Sequence, residues 1–462
     1  MYEDDPSQGL VEKYNFKKGT AKVRFFVKYR LQALNLQKLL RLPKRIQSAI
    51  CYLCCPMTNT LTIGIIREGK VPPDARVPLT PAQCHHICQQ YPSVRILVQP
   101  SPIRCFKDEE YTALGIPIQE DLSEASILLG VKEVPKTALL PNKTYLFFSH
   151  TIKKQPYNRA LLQKILELGI KLVDYEVITD PAGNRLIAFG YYAGIVGAHN
   201  SLYAFGERTK AFSLPRMYQC HDYAEVKKHY ESLALPALRI VVTGSGRVAA
   251  GAIQNLLDTG IQQVSPTDFL QNTFESAVFT QLSASEYVRR KDGQPFEKQA
   301  FYKDGSAFES QFAPYARKAD IFINCIYYDP KAPAFFTVEE MQHPDFRIQV
   351  IGDVTCDIMP GASVPSTVRP STILEPLYSF NPHTGQAGAP HQTGCVDVMA
   401  IDNLPSELPR DASSFFGQQL IDRVLPELLH QSDTGAIQRA TIAENGHLRP
   451  HFQYLKEYAE GE

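Results

Sequence analysis

The chain has 462 residues, more than one hydrophobic core usually serves, so two domains are expected, each able to fold without metal or disulfide staples. Its 48 basic and 48 acidic residues cancel. That leaves no global field to draw nucleic acid or an anionic membrane and favours a small-molecule substrate. Ten scattered cysteines point to reduced thiols and a cytoplasmic location rather than a secreted disulfide framework. The sequence contains no apolar run of about 18 residues that could span a bilayer.

The first segment differs from the rest. Between Met1 and Pro56 there are 11 Lys/Arg against 4 Asp/Glu, net +7. The basic, partly amphipathic stretch from Lys13 to Arg45 resembles a targeting peptide in composition, which Glu3, Asp4 and Asp5 argue against. Met57 opens MTNTLTIGIIREGK, which reads as the natural first strand of a domain. Residues 1–57 are therefore expected to be a poorly packed extension upstream of the natural start.

From Leu61 short apolar runs alternate with helix-like segments, the signature of an α/β chain with a largely parallel sheet. Predicted strands are LTIGII (61–66), VRILVQ (94–99), ASILLGV (125–131), TYLFFS (144–149) and KLVDYE (171–176). A helix is expected from Thr80-Pro81, a capping hydroxyl followed by proline at the first helical position, and another over 158–168. After Arg185, IAFGYYAGIVGAHNSLYAFGERT predicts a long helix whose glycines permit close packing. A second series then follows: RIVVTGSG (239–246), QVSPTDF (263–269), DIFINCIYY (320–328) and RIQVIGDV (347–354), with 286–312 as an insertion. The expected fold is α/β, two Rossmann-like domains separated by a cleft. Residues 58–190 with 404–462 form the substrate domain, and 191–403 the nucleotide domain.

The strand RIVVT runs into Gly244-Ser245-Gly246-Arg247-Val248-Ala249 and then a helical segment. Gly244 suits a tight turn, Gly246 lets a pyrophosphate approach the backbone, and the free N–H groups of the helix N-terminus meet the phosphates. About 20 residues on, Asp268 is placed to accept ribose hydroxyls and repel the extra phosphate of NADP, which favours NAD. Arg247 lies close enough to hold a phosphate, so NADP stays open.

Charged groups gather at the ends of the apolar strands in the first half. Lys132-Glu133 follow ILLGV, His150 follows LFFS with Lys153 just after, Glu176 closes KLVDY, and Arg76 follows the first strand. Carboxyl ends of parallel strands form ligand crevices, so these side chains are candidates for one cleft. Taken singly, each also reads as a solvated strand end or a packing residue. Cys84-His85-His86-Ile-Cys88 and Cys51-x-x-Cys54-Cys55 lack a second ligand pair at suitable spacing, and no metal is expected.

The segments TIGIIREGK…DARVPLTP (62–81), GVKEVP (130–135), FFSHTIKKQ (147–155), DYEVITDPAGNRLIAFGYYAG (174–194), TGSGRVAAGA (243–252), DIFINCIYY (320–328), GDVTCD (352–357) and IDNLPSELPRDAS (401–413) resemble, in order, the saccharopine dehydrogenase and lysine-ketoglutarate reductase family. More distantly the chain is similar to alanine dehydrogenase and the transhydrogenase domain, which implies an alanine dehydrogenase-like fold. The resemblance covers about residues 60–430. It implies that Lys132 and His150 are the acid/base pair, that Glu133 and Glu176 tune the lysine, and that Arg76 and Lys153 bind substrate carboxylates. Lys70, Asp74 and Asp353 occupy further polar positions of the family. It also implies the substrates saccharopine, lysine and 2-oxoglutarate. Fungal members can pair a glycine-loop cysteine with the Cys of FINCIY; Val248 stands in the loop here, so Cys325 should remain a thiol.

Elementary chemistry agrees with these roles. A secondary amine must lose its proton before hydride can leave the adjacent carbon, and a lysine with a lowered pKa can take it. Hydrolysis of the resulting imine needs a group that exchanges protons near neutrality, which suits imidazole. Two further readings stand beside the lysine-forming dehydrogenase. One is lysine-ketoglutarate reductase, the same chemistry run toward saccharopine with NADPH. The other is a non-catalytic nucleotide-binding sensor, which would have no use for Lys132 and His150.

Overall fold

The structure, a computed structural model, describes residues 60–461. The expectations for residues 1–57, including Cys51, Cys54 and Cys55, lie outside the described residues. The chain begins with β1 (Leu61–Ile65), α1 (Pro81–Gln90), β2 (Val94–Val98), β3 (Ile127–Leu129), β4 (Thr144–Phe147), α2 (Arg159–Glu167) and β5 (Lys171–Asp174). All five strands pair in parallel. Ile63, Ile65, Val94 and Ile96 enter one core and Leu97, Leu128, Tyr145 and Leu172 another, on opposite faces. Burial on both faces explains why these strands read as apolar runs rather than alternating ones.

Helix α1 starts where the Thr-Pro signal puts it. The Thr80 hydroxyl accepts from the Gln83 amide at 3.3 Å, and the Gln83 side chain accepts from the Thr80 amide at 3.0 Å, a reciprocal cap ahead of Pro81. Cys84 is buried on its inner face.

Helix α3 (Gly190–Thr209) leads to the second sheet. There follow β6 (Arg239–Thr243), α4 (Arg247–Asp258), β7 (Gln262–Gln263), α5 (Pro266–Gln271), β8 (Val278–Leu282), α6 (Ala284–Tyr287), β9 (Val288–Arg290), β10 (Phe308–Ser310), β11 (Ile321–Asn324), β12 (Val350–Asp353), β13 (Tyr378–Asn381), β14 (Gln386–Gly388) and β15 (Val396–Met399). The sheet order is β14-β13-β15-β12-β11-β6-β8-β7. Helix α7 (Pro409–Arg423) then returns to the first core through Phe416 and Leu420, and β16 (Thr441–Glu444) and β17 (His447–Leu448) extend the first sheet beyond β5.

Helices α3 and α4 touch backbone to backbone. A Cβ on Gly194 would lie 1.8 Å from the Val248 carbonyl oxygen, and one on Gly251 would lie 1.9 Å from that of Tyr191. Only glycine fits at either position.

Two stretches differ from their sequence reading. QVSPTDF contributes only Gln263, the second residue of β7, to the sheet and then turns into α5, because Ser265 caps the helix by accepting from the Asp268 amide at 3.0 Å and Pro266 takes its first turn. The strand beside β6 is instead β8, VFTQL. The insertion is ordered as well. Strands β9 and β10 pair antiparallel, and Tyr287, Val288, Phe308 and Phe312 join the core that contains Phe322 and Phe335.

Candidate active site between the two sheets

A buried carboxylate, Asp174, shapes the strand ends of the first sheet. Asp174 accepts the Ser149 amide at 3.0 Å, the Ser149 hydroxyl at 2.5 Å and the Glu176 amide at 2.7 Å, so the backbone that carries His150 and Glu176 is fixed from below. His150 adopts a left-handed backbone conformation, φ 53°, a cost tolerated where surrounding bonds over-determine the chain. Its ring stacks near Phe148, with centroids 6.5 Å apart.

Four of the expected residues come together here. His150 Nδ1 lies 2.6 Å from Glu133 Oε1, and Lys70 Nζ lies 3.0 Å from Glu133 Oε2. Burial alone would raise Glu133, but the hydrogen bond and charge of His150 hold it down at about 2. Lys132 projects from the same loop and has no carboxylate within ion-pair distance among the described residues. Burial, reinforced by the like charge of Arg76, lowers its pKa to about 8, and Asp74 opposes the shift only in part.

Arg76 is more committed than the sequence reading expected. It is buried, donates from Nε and Nη2 to the two oxygens of Asp74 at 3.0 and 2.6 Å, donates to Asn403 Oδ1 at 2.8 Å, and lies 4.2 Å over the Phe189 ring. Burial pushes Asp74 upward, but Arg76 overrides this and keeps Asp74 well below the usual carboxylate range. A guanidinium already forked onto one carboxylate cannot clamp a substrate's without releasing it. Glu176 forms the other half of the cluster: Lys153 Nζ stands 3.5 Å and Arg185 Nη2 3.6 Å from its Oε1.

Arg185, which the sequence reading missed, joins the two sheets. Its guanidinium lies 5.6 Å over Phe148, and its carbonyl accepts from Arg247 Nη2 at 2.8 Å, at the first position of α4. The start of α4, just after the glycine turn, is thereby tied to the segment whose Arg185 side chain reaches Glu176. Gly244 has φ +103°, and a Cβ there would meet the Cys325 carbonyl oxygen at 2.7 Å, so the tight turn requires glycine. Gly246 caps α4 without any side-chain bond, and a Cβ placed on it would meet nothing within 4 Å. Open space before uncapped first-turn N–H groups fits a pyrophosphate. Ser245 is exposed beside it, whereas Val248 packs toward Gly190.

Two expected residues are not brought here. Asp268 is exposed in the first turn of α5, bonded to Ser265 and Asn272, and does not follow the strand beside β6. Asp353 ends β12 but is buried, accepting from Asn324 at 2.9 Å and Thr367 at 2.6 Å, and burial raises it to about 6. It holds the nucleotide-side loops together rather than presenting oxygens to the gap. Cys325 is a free, buried thiol.

Comparison with known proteins agrees with the geometry. The alanine dehydrogenase/PNT N-terminal domain family matches residues 64–196. Saccharopine dehydrogenase [NAD(+), L-lysine-forming] of Emericella nidulans is 29% identical over 392 residues, 80% of this chain and 92% of that protein. The chain is thus similar to a saccharopine dehydrogenase over most of the length of both proteins. Alpha-aminoadipic semialdehyde synthase of Arabidopsis thaliana is 31% identical over 441 residues, 85% of this chain but 41% of that protein, so the chain spans less than half the length of this relative. Among solved structures, an L-alanine dehydrogenase matches with TM-score 0.57 at 16% identity, over 86% of this chain and 99% of that one. A transhydrogenase from Sinorhizobium meliloti matches with TM-score 0.52 at 12% identity, over 84% and 100%. The fold is theirs: a mixed α/β chain with Rossmann-like parallel sheets. Among the described residues no helix is long and apolar enough to cross a membrane.

Proposed function

We propose that the chain is a nicotinamide-dependent oxidoreductase that interconverts saccharopine with lysine and 2-oxoglutarate. One observation carries the reading: an amine lowered to about 8, without a carboxylate partner among the described residues, stands beside the Glu133–His150 pair, and the helix start after the glycine turn is tied through Arg247 to the Arg185 segment next to that cluster. When bound at that turn, the nicotinamide supplies the hydride acceptor or donor. Lys132 takes the proton of the secondary amine as hydride leaves the adjacent carbon. Water then adds to the imine carbon, and His150 passes a proton to the nitrogen that leaves as lysine, releasing the keto acid. Glu133 keeps the His150 ring oriented, and Lys70 balances its charge. Lys153 and Arg185, gathered around Glu176, are the cations with reach for substrate carboxylates. Arg76, held by Asp74, acts on Lys132 through its charge.

The cofactor in this reading is NAD, and the partners are these small molecules. A second reading, NADPH-driven formation of saccharopine, is favoured by the end of β8. Beside the glycine turn stand Ser283 and Ser285, and the nearby Glu286 is engaged by the amide and hydroxyl of Ser283. Hydroxyls there do not repel a 2′-phosphate as a free carboxylate would. Absorbance of the reduced nicotinamide tests both readings, with saccharopine plus NAD in one cuvette and lysine, 2-oxoglutarate and NADPH in the other. Signal in either supports the oxidoreductase and assigns cofactor and direction. Silence in both, with nucleotide still bound, overturns it in favour of the sensor. The scattered thiols argue for a cytoplasmic enzyme; subcellular fractionation of the native protein tests that placement.

A further inference from the structure

Glu68 lies three residues past the end of β1, in the segment REGK, and no role falls to it in the mechanism above. Its stem retains some exposure, but its carboxyl group is enclosed. The two oxygens are divided between consecutive amides of the loop after β3: Oε1 accepts from Val131 N at 2.7 Å and Oε2 from Lys132 N at 2.9 Å. The rest of that loop is tied to β4, through Gly130 N to Leu146 O at 3.0 Å and Phe148 N to Val131 O at 3.0 Å. Nothing else among the described residues bonds the Val131 and Lys132 amides.

We infer that Glu68 is a positioning residue for catalysis: by forking onto the Val131 and Lys132 amides it presents the Lys132 amine, desolvated and unpaired, to the interlobe gap. Three facts support this. Both amides point at one carboxylate, an arrangement that needs an acceptor on each oxygen, which glutamine cannot supply because its amide nitrogen would meet an N–H donor. The neighbouring residues bind the same two loops together: a Cβ on Gly69 would meet Pro135 Cγ at 2.5 Å, and Lys70 reaches Glu133. Burial pushes the Glu68 carboxyl up to about 8 against the pull of the two N–H bonds, so the ionised form that accepts on both oxygens becomes the one present over the pH range in which Lys132 becomes neutral.

The inference rests on Lys132 being the base, and its test keeps the two apart. In Glu68→Gln the loop loses one of its pins and the lysine gains water. Turnover should fall by about 10²-fold, the loss that accompanies a displacement of about 1 Å, while the dissociation constant for the nicotinamide nucleotide stays within about twofold. The direction of the pH shift then decides the cause. Loss of a negative charge by itself would lower the lysine's pKa, whereas release from a desolvated position raises it. We expect the acid limb of saccharopine oxidation to move upward, and Glu68→Asp, which keeps two acceptors on a shorter stem, to recover part of the turnover. Unchanged turnover, a downward shift, or a loss of activity matched by equal loss of nucleotide binding would overturn the inference. If Lys132→Met were as active as the parent, the acid–base reading itself would fail, whatever Glu68→Gln did.

Discussion

The state of Lys132 decides the mechanism, and it can be measured without knowing the substrate. Burial and Arg76 bring the amine from 10.5 to about 8, equivalent to about 3 kcal/mol in favour of the neutral form. At pH 7 about one lysine in ten is then neutral, against about one in three thousand for an ordinary lysine, a roughly 300-fold enrichment of the reactive form. Cyanate reacts only with neutral amines, so carbamoylation mapped by mass spectrometry over a pH series should give Lys132 a midpoint near 8, well below that of the exposed lysines. The kinetic counterpart has a sign. Oxidation of saccharopine needs the amine neutral, so its rate rises through about pH 8; the reverse reaction needs it protonated, so its rate falls through the same region. Removing the base by Lys132→Met should lower turnover by about 10²–10⁴-fold, and adding His150→Gln should lower it further while NAD binding changes little. A Lys132 midpoint above about 10, or unchanged turnover in the double variant, would refute the assignment.

Other expectations follow from the same geometry. Gly194→Ala and Gly251→Ala each force a methyl onto a carbonyl oxygen at 1.8 or 1.9 Å and should cost about 2 kcal/mol or more in urea unfolding; Gly190→Ala, whose methyl would meet only Val248 Cγ2 at 3.3 Å, should be nearly neutral. Glu133 is lowered from 4.5 to about 2, so it adds stability above about pH 4.5 that disappears as the pH falls toward 2. Solvent screening trims the effect to about 1 kcal/mol, and the stability of Glu133→Gln relative to the parent should therefore improve on acidification. Asp268→Ala should leave nucleotide affinity within about twofold in a fluorescence titration, since its oxygens serve Ser265 and Asn272 and not the strand beside β6; a tenfold loss would bring it back to the ribose.

What could be read from the chain depended on whether a signal was local. The five strands of the first sheet, the Thr80-Pro81 cap and the glycine turn each declare themselves within a few residues. The Lys132, Glu133 and His150 cluster was legible because strand ends converge wherever parallel strands pair, whereas Lys70 was indicated only by the family resemblance. Reading QVSPTDF as the next strand failed because Ser-Pro is also a helix start, and the true neighbour of β6 could be recognised only by its pairing. Asp353 and Arg76 carry the right chemistry at the right places in the chain. Whether a carboxylate or guanidinium is free or already committed depends on partners far away in sequence, such as Thr367 and Asn403, and composition cannot reveal that.

The same reasoning explains why Glu68 and Asp174 escaped notice. Both act on backbone amides, which every residue possesses, so no pairing of side-chain types marks them out. Where parallel strands end, their chains splay and the next amides lose their sheet partners; buried, they must find acceptors elsewhere. Glu68, beyond β1, supplies them across to the loop after β3, and Asp174, ending β5, supplies them back to the chain after β4 and forward to Glu176. A carboxylate suits this place better than water because it accepts on both oxygens and is covalently fixed to a neighbouring strand. It thus converts a frayed strand end into a rigid mount. Lys132 and His150 stand on two such mounts on neighbouring strands, β3 and β4. The separation of base from imidazole is then set by sheet spacing, which a ligand cannot easily change, while the Lys153 and Arg185 cations around Glu176 remain looser and free to adjust.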